Sequence, residues 1–417
     1  MRAARRPGRA PAAQRRPRVL LLVENVPLAR DHRLHKQVEA LHAAGADVSV
    51  ICPADPANRD VANVHLYEYS PPAEAHSRLG YVREYGLSWM RAGARLVQGF
   101  ARERFDALQI AGNPDIYFPF ALPFRWSGRP VVFDQRDLAP EVYQARYGTT
   151  HGAALRLLLR LERASYRTAD HVLVVNRSLR EIARRRGNLL PQQVTIVGNG
   201  PVLAQAWRRP QRPELKRGRR YLAVWVGLMG PQDSVEVALL AIQRLVHVDR
   251  RTDCQFAFVG DGEARPHLQR LAGELAVQDW VDFPGWADQE LAFTYLSTAD
   301  IGVEPNLEEV VSPVKVQEYM AFQLPVVAFD LAETRGLAEA AGVYAPAGDV
   351  EAFAAAIRDL LDDPVRRRAM GAAGRSLVDQ HLCWDQQREA YLDVWRNWLP
   401  LQARRPAGVV AETVGAR

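Results

Sequence analysis

Short apolar runs and longer amphipathic stretches alternate along nearly the whole chain, and this alternation leaves little choice of fold. Runs rich in Val, Ile and Leu occupy residues 18–24, 47–52, 107–111, 130–134, 171–176 and 194–197, with helix-like stretches at 32–44, 81–103, 153–168 and 178–186. A strand covered by helices on both faces reads as a continuous apolar run, so repeated strand–helix–strand order predicts a doubly wound parallel sheet. The rhythm breaks at 205–220, where QAWRRPQRPELKRGRR is rich in Pro and Arg. It restarts with runs at 221–226, 255–259, 281–283, 300–303 and 325–329, separated by helical stretches at 235–247, 264–275, 289–297 and 313–322.

A chain of 417 residues is too long for one hydrophobic core and suits two such α/β domains. The expected division is a basic tail (1–17), a Rossmann-like domain (18–204), a linker (205–220), a second Rossmann-like domain (221–383), a closing helix (384–399) and a polar tail (400–417). Trp384, Tyr391, Val394, Trp395 and Trp398 stand near helical spacing in the closing helix, and Pro400 ends it. Ligands of doubly wound sheets bind outside the strand carboxyl ends, so function is expected in the loops that follow strands.

The composition, 48% hydrophobic and 24% charged, is that of a globular protein. Apolar runs such as 19–23 fall far short of the roughly 20 residues of a membrane span, and no signal-peptide pattern is expected. Cys52, Cys254 and Cys383 lie far apart, which points away from a disulfide framework or zinc site and towards a reducing cytoplasm. The net charge is +6, and residues 1–18 hold seven arginines and no acid. This reads as a solvated tail, or more sharply as a tether giving at most peripheral contact with anionic lipid. No motif accompanies it that would support nucleic-acid binding.

The most informative segment is SPVKVQEYMA, residues 312–321. Ser312 fits an N-cap and Pro313 the first helical position, so a helix is expected to begin there with its free N–H groups turned towards an anion. Lys315 falls in the first turn, where a cation opposes the helix dipole and a bound diphosphate would remove the conflict. Glu318 lies one turn on, within reach of a ribose attached to that diphosphate. An ordinary surface helix with a Lys315–Glu318 pair fits the same residues.

The run EYMAFQLPVVAFDLAETR resembles the donor-binding signature of family-4 glycosyltransferases of GT-B fold. So do VENVPLARDHRLHKQVEALHAAGADVSVICP, NPDIYFPFAL, FDQRDLAPEVYQARYG, RLERASYRTADHVLVVNRSLREIARRRG, VGLMGPQDSVE and FVGDGE, in order from about residue 18 to 399. The resemblance implies two Rossmann-like domains facing across a cleft, with the closing helix crossing back to the first. It implies a nucleotide-sugar donor, UDP- or GDP-linked, with Glu318 on the ribose and Lys315 on the diphosphate. Ser312, Pro313 and Val314 would belong to the donor site, with main chain at Gly227, Met229 and Gly230 close to the donor and the loop at Gly285 and Trp286 at the base. Asp31, Arg33, Asn113, Asp115, Asp137 and Glu141 would face a small-molecule or lipid-linked acceptor, and Arg136 and Asp137 would join Lys315 and Glu318 in catalysis.

No D-x-D arrangement is present to hold a metal, so no metal or cofactor is expected beyond the nucleotide-sugar co-substrate. The leaving diphosphate would be stabilised by cationic side chains and helix N–H groups, in a transfer retaining anomeric configuration. The chain departs from the family pattern at Arg136, where relatives carry histidine and where a guanidinium cannot exchange protons near pH 7. It departs also at Gly198, Leu228, Asp233, Ser234 (for glycine) and Val310. These departures leave open a homologue that binds nucleotide-sugar or a partner without turnover; a sugar-nucleotide 2-epimerase, which shares the GT-B architecture, is a further alternative. A nicotinamide-dependent oxidoreductase is excluded, because no glycine follows the first strand in LLVENVPL.

Overall fold

The computed structural model describes residues 15–24, 26–72, 78–112, 115–148, 151–310 and 312–402. Asn113 and most of the basic tail lie outside these residues. The first sheet has seven strands, β1 (Arg18–Leu22), β2 (Asp47–Pro53), β3 (His65–Tyr69), β4 (Ala107–Ala111), β5 (Val131–Gln135), β6 (His171–Val174) and β7 (Val194–Ile196), in the order β3-β2-β1-β4-β5-β6-β7. Its helices are α1 (His32–Ala43), α2 (Arg78–Arg102), α3 (Leu122–Trp126), α4 (Ala139–Tyr147), α5 (Ala153–Thr168) and α6 (Arg177–Gly187). The second sheet has six parallel strands, β8 (Tyr221–Val226), β9 (Cys254–Val259), β10 (Val281–Gly285), β11 (Ile301–Glu304), β12 (Val326–Phe329) and β13 (Gly342–Ala345), in the order β10-β9-β8-β11-β12-β13. With it come α7 (Val235–Gln243), α8 (Arg265–Glu274), α9 (Gln289–Thr298), α10 (Val314–Ala321), α11 (Ala332–Ala338), α12 (Val350–Asp362), α13 (Pro364–Leu377) and α14 (Trp384–Arg396).

Both sheets are Rossmann-like, and each reverses its strand order beside its first strand, at β1/β4 and at β8/β11. The apolar runs are continuous because successive residues enter different cores. Along β8, Tyr221, Ala223 and Trp225 pack into one core with α7 and α12, whereas Leu222 and Val224 pack into another with Tyr319 and Met320 of α10. Several elements escape the sequence reading. Edge strand β3 buries alternate residues only, so HLYEY carries no apolar run. Helices α12 and α13 are announced by Asp349 and Asp363, whose side chains accept from Ala352 and Arg366 N–H groups, a capping signal the sequence reading passed over.

The chain forms two compact units, which do not part at the Pro/Arg-rich segment. One holds β1–β5, α1–α3, α5 and the chain from Tyr391 onward; the other holds α4 and the chain from Val174 to Ala390. The segment at 205–220 is docked rather than loose. Arg209 lies 3.7 Å over the Trp207 ring and its N–H donates to Ser297 Oγ at 2.8 Å, while Lys216 pairs with Asp300 at 2.8 Å and Arg217 with Asp282 at 2.6 Å. The ends of the expected tails are tied likewise, Arg15 to Asp106 at 2.7 Å and the Gln402 N–H to the Ala44 carbonyl at 2.9 Å. The closing helix joins the first unit through Tyr391, whose Oη donates to Gln109 Oε1 at 2.8 Å. All three cysteines are free and buried. Among the described residues no helix is long and apolar enough to cross a membrane.

Candidate functional site

In the second unit the strand order reverses between β8 and β11, and the turns at the carboxyl ends of β8 and β9 are unusually close. Gly227 follows β8 and Gly260 follows β9. A Cβ at Gly260 would lie 1.9 Å from the Gly227 carbonyl oxygen, so the two turns touch backbone to backbone and only glycine fits. A Cβ at Gly227 would lie 3.1 Å from the Trp225 ring and 3.2 Å from Lys315 Cε. Lys315 therefore reaches from α10 to the end of β8, its Nζ 4.6 Å from the Trp225 ring centroid.

At that point Lys315 meets two acids. Its Nζ lies 2.8 Å from Asp233 Oδ1 and 3.6 Å from Glu304 Oε2. The sequence reading left the conflict between Lys315 and the helix dipole to a bound diphosphate; in the structure the chain's own carboxylates already offset it. Burial alone would lower the Lys315 ammonium, but Glu304 and Asp233 outweigh it and hold it charged. Burial pushes the Glu304 carboxyl up, against the pull of Lys315. Glu304 was not singled out from sequence, although an acid closing the buried run IGVE was a visible signal.

Helix α10 starts at Val314, with Pro313 in the N-cap position and no side-chain cap, so Ser312 is not the cap expected of it. The Val314 N–H instead bonds the Ser312 carbonyl at 2.9 Å, a tight turn that delays the helix by one residue. Ser312 and Pro313 face a cavity of about 740 Å³ in the same unit, also lined by Asn176, Ser178, Gln317 and Glu333. Val314, Lys315 and Glu318 are half-buried on α10. The helix is pinned by Tyr319, whose Oη accepts from the Val226 N–H and donates to the Val303 carbonyl.

The other residues expected at the donor lie in the turn after β8 and at the end of β10. Met229 is fully buried in the core, its N–H on the Asp261 carbonyl and its carbonyl on the Ala264 N–H, so neither side chain nor main chain is turned outward. The Gly230 N–H bonds within its own turn, to the Leu228 carbonyl and Asp233 Oδ2. Gly285 has φ +84° and its carbonyl accepts from Gly260, while the Trp286 beside it is 74% exposed. Ser234, standing where relatives place glycine, has φ +52°. Left-handed backbone costs an L-residue roughly 1–2 kcal/mol, so Ser234→Gly should raise stability by up to about 1 kcal/mol in urea denaturation, after the extra entropy of glycine in the unfolded chain. A loss of stability would show that the Ser234 side chain holds the turn.

Two of the residues expected at the acceptor, Asp31 and Arg33, belong to an internal network in the first unit. Asp134, fully buried at the end of β5, accepts from Arg33 Nε at 3.0 Å, Arg33 Nη2 at 2.7 Å and Gln37 Nε2 at 3.0 Å. Arg136 Nε lies 3.4 Å from the same carboxylate, and its Nη1 pairs with Asp31. Asp31 also caps α1 through the Leu34 N–H. Gln109 donates to Gln37 at 2.8 Å and accepts from Tyr391, which completes the chain. Asp31 and Arg33 are nearly fully buried and turned inward; alternating charge along the network satisfies them, which spacing in sequence could not reveal. Arg136 is held by the same acids, which keep its guanidinium charged despite burial. Glu141 pairs with Arg186, Asp115 is buried, and Asp137 is exposed. A buried acid not foreseen, Glu24, closes β1 beside Tyr69, and burial pushes its carboxyl up to about 7.

Comparison with known proteins places these observations among relatives. Residues 31–200 match the family described as glycosyl transferase 4-like domain, and residues 220–363 the family described as glycosyl transferases group 1. The chain is 28% identical over 316 residues to an alpha-D-kanosaminyltransferase of Streptomyces kanamyceticus, covering 72% of this chain and 79% of that protein. It is 34% identical over 202 residues to a D-inositol 3-phosphate glycosyltransferase of Thermomonospora curvata, covering 46% of each. Its fold is similar to that of sucrose-phosphate synthase from Thermosynechococcus elongatus, with a TM-score of 0.73 and 19% identity over 92% of this chain and 99% of that one. Anabaena HepE, solved in complex with UDP, gives a TM-score of 0.71 and 14% identity over 91% and 100%.

Proposed function

We propose that this chain, which belongs to the GT-B glycosyltransferases of family-4 type, moves a sugar from a UDP- or GDP-linked donor to its acceptor with retention, and that Lys315 rather than a metal receives the leaving diphosphate. The observation that carries this reading is the position of Lys315. It stands at the start of α10, over the glycine turn that ends β8, where the second sheet reverses its strand order. Glu318, one turn on, is the proposed ribose ligand, and the exposed Trp286 the proposed neighbour of the base. HepE, of similar fold, is solved in complex with UDP, which supports a nucleotide-linked donor for this chain.

In this mechanism the glycosidic bond to the diphosphate lengthens first, and charge grows on the bridging oxygen. Lys315 stabilises that charge, and the acceptor oxygen, nitrogen or sulfur attacks the face the diphosphate leaves. The acceptor is either a cell-envelope or exopolysaccharide precursor or a small specialised metabolite. Binding without turnover is a second reading. It is favoured by Arg136, which is locked between Asp31 and Asp134 and has no proton to exchange near neutrality.

A thermal-shift series with UDP, GDP, ADP and dTDP tests the donor reading. The matching nucleotide should raise the melting temperature, corresponding to about 2.7 kcal/mol at a hundredfold excess over its Kd. No shift with any of the four would sink the donor assignment. A shift with no sugar transferred to any acceptor would favour the second reading.

A further inference from the structure

Lys315, the proposed diphosphate ligand, is surrounded by more negative charge than it carries. Asp233 and Glu304 both lie within 4 Å of its Nζ, so the cluster holds a net charge of −1 before any ligand arrives. Glu304 is 1% exposed, and among the described residues neither of its carboxylate oxygens makes a hydrogen bond of full geometry, although the Asn306 backbone and Lys315 approach one. The groups facing it come from three elements: Lys315 and the phenol of Tyr319 on α10, Asp233 in the turn after β8, and the backbone at Asn306 beyond β11. Of these only Lys315 is a cation. An incoming diphosphate adds at least two negative charges at the same ammonium, in a place where water cannot screen them.

We propose that Glu304 and Asp233 belong to the donor site, that they hold Lys315 before the donor binds, and that donor binding takes up one proton, received by the Glu304 carboxyl. This rests on the donor reading above and adds to it the charge state in which the site works. The proton comes from solvent and leaves with the nucleotide, so no redox partner or further reactant is required. Glu304 suits the role better than Asp233, because it is the more buried of the two and the carboxyl that burial already disfavours as an anion.

The sign follows from linkage. A proton taken up on binding makes the complex bind more protons than the free protein, so affinity falls as pH rises. The fall is up to about tenfold per pH unit on the alkaline side of the free-state titration of Glu304, levelling off where the complex itself loses the proton. A lysine facing a diphosphate without the two acids, both fixed in charge near neutrality, would give no pH dependence there.

The experiment is calorimetry of nucleotide-sugar binding to the full chain between pH 6 and 8.5, in buffers of different ionisation enthalpy. The probe is the glucose diphosphonucleotide of each base, UDP-, GDP-, ADP- and dTDP-glucose, whose phosphates do not titrate in that range. For the one that binds, uptake approaching one proton is expected in the wild type on the alkaline side. Glu304→Gln should abolish the uptake and flatten the pH profile. Asp233→Asn should retain uptake and bind more tightly at every pH, and it keeps the test decisive if Glu304→Gln does not fold. Binding with no proton exchange in the wild type, as when Asp233 merely swings away, would overturn the proposal while leaving the donor reading intact. Undiminished uptake in Glu304→Gln would overturn it too. If none of the four binds, the donor reading fails and this inference with it.

Discussion

Asp134→Asn should cost roughly 3–5 kcal/mol in the first unit, the usual loss when one partner of a buried ion pair is removed and the other remains. The carboxylate lies at the centre of the network, and the amide would leave Arg33 without its counter-charge and Arg136 with Asp31 alone. The effect is best read by hydrogen exchange, because two units need not unfold in one transition. Protection should drop across β5 and α1 and persist in β8 and β11. The same residue governs the acid limb of stability. Burial would raise its carboxyl, but Arg33 and Arg136 prevail and bring it down to about 2. A carboxyl depressed in the folded state contributes stability that is complete above the ordinary carboxylate range and is lost as pH falls towards 2. Asp134→Asn should therefore lack that part of the acid limb. A variant as stable as wild type would mean the arginines find other partners.

Lys315→Met is expected to have its largest effect on binding. Removing a charged hydrogen-bond donor from a phosphate costs roughly 1.5–3 kcal/mol, a 10- to 150-fold weaker Kd for the nucleotide identified by thermal shift. Glu318→Ala should weaken it through the ribose instead, and more for the nucleotide than for a bare pyrophosphate probe. Calorimetry showing unchanged affinity in both variants would remove α10 from the donor site. Methionine keeps the contact with the Trp225 ring, so a general collapse of the β8 turn is not expected.

These two residues also show what was legible in the chain. The fold was readable because buried parallel strands are written as unbroken apolar runs, and each run from Val19 to Phe329 lies in a core. The start of α10 was readable to within one residue from Ser312 and Pro313. What spacing could not supply was the partner of each charge. Arg33 and Asp134 are about a hundred residues apart and bonded at 2.7 Å, and Lys315 and Asp233 are nearly as distant in the chain. Asp31 and Arg33, chosen for an open acceptor site, are consequently internal. Glu304 was overlooked because an acid at the end of a hydrophobic strand looks like a solvated terminus until the helix above it is in place. The burial of the Met229 side chain was likewise not legible, since nothing local distinguishes a loop residue facing outward from one folded into the core.

The hydrogen bond from Tyr391 to Gln109 bears on how the protein is made. A ribosome delivers the first sheet early, but the residue that completes its polar network follows roughly 200 residues of the other unit. At about 5–20 residues per second, Asp134, Arg33 and Gln109 would wait on the order of ten to seventy seconds for the final helix. For that interval the nascent first unit holds a buried charge network open at one end, while the second unit, continuous from Val174 to Ala390 apart from the α4 segment, can fold as it emerges. The C-terminal helix thus sets the moment at which synthesis yields a finished first unit.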